Sequence, residues 1–368
     1  MSGTVVVGGG LVGTALAYEL SLLGIEVTLV DRHDPGRATD AGAGICSPET
    51  IMGRDEAWME VAFAARDHYD QLASSLSATQ EADIGFSLTG LLSTVTGAHE
   101  EPWLDDVLAR AEARCPGGLV EIEPEEAQGR FPPLAPPRRA ILNQHAARID
   151  GVAVTTALRE AAARRGVEIL PASVTQLRLQ GRRVVAVETT EGRRPCEAAV
   201  IAGGAWSAAF DAALGVHLPV RPLKGQIAHL VLESAAESSG HWPIVQPLFG
   251  FYLVPWPGGR VACGGTMEAV GFDHRVTAAG AADLLREALK TAPGLGDATL
   301  SEIRVGLRPV SDDDRPIVGR LAAFENVFVD TGHGTDGLLL GPYCGHLLAA
   351  EIAGTAQAAL TTFAPDRF

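Results

Sequence analysis

The sequence has little of what metal, disulfide or nucleic-acid chemistry requires. Its five cysteines, at positions 46, 115, 196, 263 and 344, are odd in number and widely spaced, with no CxxC. A disulfide framework or thiolate zinc site is therefore not expected, and a reducing cytoplasm fits better. The ten histidines are scattered without an HxxxH pair, so no metal is expected. Basic residues are outnumbered 29 to 45, for a net charge of −16. That balance repels phosphate backbones and anionic membranes, which removes nucleic acid and membrane surfaces as partners. The most apolar late stretch, Gly337 to Gly354, is broken by Pro342, His346 and Glu351 and is too short for a membrane span. Met1-Ser2-Gly3 leads into an apolar strand without the basic region of a secretory signal, which again predicts a cytoplasmic protein. No GxSxG, HExxH or Walker lysine motif occurs, so hydrolytic and phosphoryl-transfer chemistry lack their usual signals.

What is present is a large core and much glycine. Apolar residues make up 46% of 368, enough for two domains, and the 42 glycines suit tight turns and backbone lying close to a ligand. The strongest signal is at the start. Thr4-Val5-Val6-Val7 reads as a buried parallel strand. It is followed at once by GxGxxG at Gly8, Gly10 and Gly13, then a helix, then a second strand, Val27–Val30, closing on Asp31. Gly8 permits the turn, Gly10 the approach of a pyrophosphate, and Gly13 the packing of helix on strand. The helix N-terminus offers free N–H groups and the positive end of its dipole. Asp31, 21 residues after Gly10, is placed to accept from a ribose 2′-hydroxyl and would repel a 2′-phosphate. This unit alone does not separate NAD from FAD.

The remainder lacks the regular βα units of a simple nicotinamide dehydrogenase. Helices are predicted over 56–75, 102–114 and 152–165, and a prolyl linker over 132–137. The segments 174–180, 184–190 and 196–201 read as a β-meander, ending in a second strand–glycine–helix junction at Gly203-Gly204-Ala205-Trp206. Strands dominate 218–307, interrupted by one helix. A late strand, 327–330, leads into Thr331-Gly332-His333-Gly334-Thr335-Asp336-Gly337-Leu338 and a helix to Ile352.

With these motifs in this order, the chain resembles the FAD-dependent amine and amino-acid oxidases that include glycine oxidase, D-amino-acid oxidase and sarcosine oxidase, and looks most like glycine oxidase. The resemblance rests on the Thr39–Ile45 loop, Gly203–Trp206, Gly306-Leu307-Arg308-Pro309 with Pro316–Gly319, and Gly332-His333 with Gly337-Leu338. It implies an α/β fold: a Rossmann-like FAD domain (1–84, 150–217 and 311–368) interleaved with an antiparallel-sheet substrate domain (85–149 and 218–310). It implies FAD held without a covalent bond, because the sarcosine-oxidase cysteine aligns with Gly306. The implied cofactor contacts are Leu11 and Val12 at the diphosphate turn, Asp31 and Arg32 at the adenosine ribose, and Val174 at adenine. Thr39, Ala43, Gly44 and Ile45 would line the ribityl and flavin edge, near Gly203 and Trp206. Gly332, His333, Gly334, Thr335, Asp336, Gly337 and Leu338 would wrap the pyrimidine side. For catalysis, Arg308 is implied as the clamp on a substrate carboxylate, Tyr252 and Met267 as active-site residues, and Thr335 as the site where glycine oxidase has an arginine. Asp40 stands where glycine oxidase has a serine, and an acid beside a diphosphate should point away or shift its loop.

The residue types also carry plainer readings. Asp336 directly before a helix is expected to cap it. His333 reads as a hydrogen-bonded loop histidine. Lys224 reads as a solvated or paired strand-end lysine. The implied reaction is oxidation of a small amino acid to an imine that hydrolyses to a 2-oxo acid, with electrons passed to O₂ or another acceptor. Rival readings are the flavin subunit of a heteromeric D-hydroxyproline or opine dehydrogenase, with partner electron-transfer subunits, an NAD-dependent dehydrogenase, and a non-catalytic flavin-binding scaffold. A homo-oligomer is compatible with all of these.

Overall fold

Thr4–Val7 is buried along its whole length and lies inside a six-stranded sheet. In the computed structural model, which describes residues 3–51, 53–80, 83–247 and 251–368, the strand order is 317–320, 327–331, 198–201, 4–7, 27–30, 168–170. All neighbours are parallel except the first pair. Sheets of this kind are covered on both faces, which explains the continuous apolar runs. The first helix, Leu11–Leu22, is buried on nearly every side, between this sheet and the last α-helix, Gly337–Ile352. Gly341 and Gly345 make that approach possible. A Cβ on Gly341 would lie 2.9 Å from Val12 Cγ2, and one on Gly345 would lie 3.0 Å from the Leu16 nitrogen.

A second, eight-stranded sheet is formed by 299–311, 220–231, 260–264, 252–255, 244–247, 91–95, 139–143 and 119–122, in that order. Its longest ladder pairs Val220–Val231 with Thr299–Ser311 and carries both Lys224 and Arg308. A small three-stranded sheet, Ile45–Cys46, Ala147–Arg148 and Ser87–Leu88, links chain segments between the two. Among the described residues no helix is long and apolar enough to cross a membrane.

The meander differs from the sequence reading. Its third strand is Gly192–Pro195, and Ala198–Ile201 instead pairs with Thr4–Val7 inside the parallel sheet. The physical reason is burial. Ala198–Ile201 is buried at every position, whereas Gly192–Pro195 is largely exposed at the edge of its small sheet.

Candidate active site

The turn after the first strand is built for backbone approach. Gly8 has φ +113°, and a Cβ there would lie 2.3 Å from the Ala202 carbonyl. A Cβ on Gly13 would lie 2.0 Å from the Gly8 carbonyl, so only glycine lets the helix sit this close to the strand. Gly10, at the N-cap position of the helix, offers no side-chain cap, and the first turn carries no acid. Thr39 Oγ1 accepts from the Leu11 N–H at 3.1 Å, the Gly8 N–H donates to the Val30 carbonyl, and Gly9, Gly10, Leu11 and Val12 line a cavity. An uncapped helix N-terminus with its dipole uncompensated suits a diphosphate.

This turn opens on a cavity of about 600 Å³, within the ordinary range for ligand sites. The cavity is lined by every expected cofactor-contact and catalytic residue except Gly13 and Gly332, which sit behind its wall. Gly13 acts through packing, and Gly332, at φ +74°, shapes the loop against Ile317. Asp31 is almost fully buried. Its Oδ2 lies 3.3 Å from Arg37 Nη1 and 3.6 Å from Arg159 Nη1, and its Oδ1 accepts from the His33 N–H. Arg37 also forks Asp40 through two bonds of 3.1 Å, and Asp40 does not line the cavity. The acid beside the diphosphate turn therefore points away, held by an arginine. Arg32 lines the cavity but spends its Nε on Asp34, at 2.6 Å.

Arg308 stands on the inner edge of the eight-stranded sheet. Its Nη1 donates to the Thr266 carbonyl at 3.0 Å, and no carboxylate among the described residues lies within ion-pairing distance. Glycines make room for it. A Cβ on Gly225 would fall 2.2 Å from Nη1, and one on Gly265 would fall 3.1 Å from Nη2. The Tyr252 hydroxyl is hydrogen-bonded to the same guanidinium. Burial raises the Tyr252 pKa, and the positive charge of Arg308 opposes that rise. Lys224 is fully buried and paired with Glu268 at 3.1 Å, so it is a paired rather than a solvated lysine. Met267 is 59% exposed and forms part of the cavity rim. Trp206 meets Phe272 with ring centroids 5.5 Å apart.

The glycine-rich turn at 332–337 corrects two expectations. Asp336 occupies the N-cap position of the last helix, but its carboxylate makes no cap bond. It pairs instead with Arg54 at 3.1 Å and accepts from Thr335 Oγ1, and burial raises its pKa against the pull of Arg54. His333 is buried, yet neither ring nitrogen has a hydrogen-bond partner among the described residues, and burial pushes its pKa down to about 4.

Several lining residues escaped the sequence reading. Arg37, just before the Thr39–Ile45 loop, and Asp330, at the end of the predicted strand 327–330, received no role. Trp103 and Gln246 reach the cavity from distant segments, and no local motif points to them. Among the described residues no group of three or more His, Cys, Asp or Glu is arranged to hold a metal ion.

Residues 4–351 match the family model described as DAO, FAD dependent oxidoreductase. Glycine oxidase of Pseudomonas aeruginosa is 32% identical over 362 residues, covering 95% of this chain and 94% of that one. The crystal structure of iminodiacetate oxidase from a Chelativorans species superposes with TM-score 0.93 at 34% identity, covering 98% of each chain. Glycine oxidase from Geobacillus kaustophilus superposes with TM-score 0.91 at 27% identity, covering 100% and 99%. The cavity, its uncapped helix and its buried acid fit the dinucleotide that this family uses, and the chain belongs to the DAO family of FAD-dependent oxidoreductases.

Proposed function

We propose that this enzyme oxidises a small amino acid, primary or secondary, whose carboxylate sits on Arg308 and the Tyr252 hydroxyl. The observation that carries the reading is the guanidinium of Arg308: it lines the cavity, braced by glycines and a backbone carbonyl, with no acid of its own. Its planar fork suits a carboxylate, and Tyr252 adds a neutral donor. FAD, when bound, supplies the two-electron acceptor, and the protein orients and polarises. Loss of a hydride from the carbon bearing nitrogen, with the nitrogen lone pair closing the C=N bond, leaves an imine. Water then converts the imine to a 2-oxo acid and releases the amine. Electrons pass on to O₂ or another acceptor.

The relatives support the substrate class, since one is named for glycine and another for iminodiacetate, a secondary amine with carboxylates. Thr335 makes the pocket less basic than an arginine would. In this reading residues 1–84, 150–217 and 311–368 carry the cofactor, and 85–149 with 218–310 carry the substrate. Asp31 and Val174 serve the adenosine end, and Ala43, Gly44, Ile45 and Leu338 serve the flavin.

Arg308→Ala tests the clamp. FAD should stay bound, while kcat/KM for an amino acid falls by two orders of magnitude or more, because unpairing a desolvated charge costs about 2–5 kcal/mol. An amine without the carboxylate should lose far less, and Arg308→Lys should rescue only in part. Equal losses on the amino acid and its decarboxylated analogue would assign Arg308 to structure and remove the reading's support.

A further inference from the structure

The arginine of the cavity is held from the far side of its sheet. In the ladder of 220–231 with 299–311, Leu223 pairs with Arg308 and Gly225 with Gly306. Alternation along a strand puts Gly225 and Arg308 on the cavity face and Lys224 and Gln226 on the opposite face. Lys224 is 1% exposed and Gln226 is fully buried, which is costly unless each is satisfied. Both converge on Glu268. Lys224 Nζ lies 3.1 Å from Glu268 Oε2, and Gln226 Nε2 donates to Glu268 Oε1 at 2.7 Å. The backbones of Lys224 and Glu268 exchange two more bonds, of 3.0 and 2.9 Å. Thr266 completes the cluster. Its hydroxyl donates to Glu268 Oε1 at 2.6 Å and accepts from the Gln226 N–H at 2.8 Å, and its own N–H donates to the Gln226 carbonyl at 3.2 Å. Only its carbonyl is left for the other side, and that oxygen accepts from Arg308 Nη1 at 3.0 Å.

We propose that Thr266 and Glu268 are positioning residues for the substrate clamp, fixing the guanidinium of Arg308 through the Thr266 carbonyl. The inference rests on the reading of Arg308 as the carboxylate site. A planar guanidinium forks a carboxylate in one orientation only, and any rotamer left free must be frozen when substrate binds. The Thr266 carbonyl is the one backbone acceptor of Arg308 among the described residues, so the place of that oxygen sets the plane of the fork. Neither Thr266 nor Glu268 lines the cavity, so neither acts by touching substrate. Glu268 is also the acid nearest in sequence to that carbonyl. Lys224 and Gln226 engage both of its oxygens on the far face, which leaves Arg308 for the substrate.

Thr266→Val keeps the volume and the carbonyl and removes the hydroxyl. In the holoenzyme, KM for an amino acid should rise roughly tenfold, as expected for losing a hydrogen-bonded tether. The value of kcat should stay near the parent's, the split that marks lost binding and not lost chemistry. The decarboxylated amine should change little, and FAD should be retained. Thr266→Ser, which keeps the hydroxyl, should restore KM. Lys224→Met with Glu268→Leu removes the ion pair together, so that no buried charge is left alone, and should reproduce the valine variant. Adding Thr266→Val to that protein should cost nothing further, because the residues act along one path. Where Thr266→Val does not retain FAD, the Lys224→Met, Glu268→Leu protein is judged by the same comparison of the two substrates. Equal losses on amino acid and amine, an unrescued serine variant, or additive losses would overturn the proposal. Arg308→Ala, run alongside, separates the two readings. If it strikes both substrates equally, the clamp itself fails. If it strikes the amino acid selectively while Thr266→Val leaves KM unchanged, only the positioning role fails.

Discussion

Arg37 holds two carboxylates at once, with Nη1 toward Asp31 and its other edge forked on Asp40. Asp31 lines the cavity and Asp40 does not, so the arginine holds one acid at the cavity wall and the other away from it. Arg37→Ala leaves two acids without their shared cation beside an anionic ligand. FAD affinity should fall by at least an order of magnitude, since stripping one member from a buried charge pair costs about 2–5 kcal/mol. Adding Asp40→Ser to that variant should recover part of the loss, because the displaced acid is then gone. Apoprotein titration with FAD measures both. If the double variant binds no better than Arg37→Ala, Asp40 is not the residue that Arg37 restrains.

At the scale of elements, the first and last helices are held by two different devices. Glycines bring their backbones together, and an ion pair ties their solvent side, with His346 Nδ1 2.9 Å from Glu19 Oε2. The bond to Glu19 raises the His346 pKa, with burial opposing. A pKa raised in the folded state adds stability that is present in full below the unfolded value, near 6.5, and is lost as pH rises through the folded value. His346→Ala should therefore lower Tm more at pH 6 than at pH 9. For a half-exposed pair the difference is at most about 2–4 °C. Neighbouring His68, its rings 5.1 Å away, has a pKa lowered by burial and contributes with the opposite sign. Comparing variant with parent at each pH cancels that background. Equal Tm losses at the two pH values would mean that the pair carries no charge-dependent stability.

These elements also show what the sequence made readable. The opening strand, glycine turn, helix and acid are local and contiguous, and each has its own residue signature, so they were legible outright. The strand 198–201 carried the apolar run of a parallel strand and was still assigned to the meander, because its true partner lies nearly 200 residues earlier. Strand 139–143 went unnoticed as well, and one of its two partners, 91–95, belongs to a separate part of the chain. In the site, Arg308 was readable through its family motif. Asp330 and His333 became conspicuous only when folding buried them without partners, which no local pattern records.

At the scale of the whole molecule, a protein of net charge −16 binds a cofactor whose diphosphate is itself anionic. The two scales of the field oppose each other. Close to the cavity, the helix N-terminus, Arg37 and Arg308 are attractive, whereas at a distance the net charge repels. Which governs capture depends on the screening length, about 30 Å at 10 mM salt and about 8 Å at 150 mM. At low salt the approaching dinucleotide meets the repulsion of the whole surface before it reaches the cavity. At the higher salt only the local groups are felt. FAD association should therefore quicken several-fold between these ionic strengths, while dissociation, which breaks short contacts, changes little. Stopped-flow quenching of flavin fluorescence on mixing with apoprotein measures both rates. An association rate that falls with added salt would show that positive potential at the cavity mouth dominates even at long range, and that the acidic surface plays no part in cofactor capture.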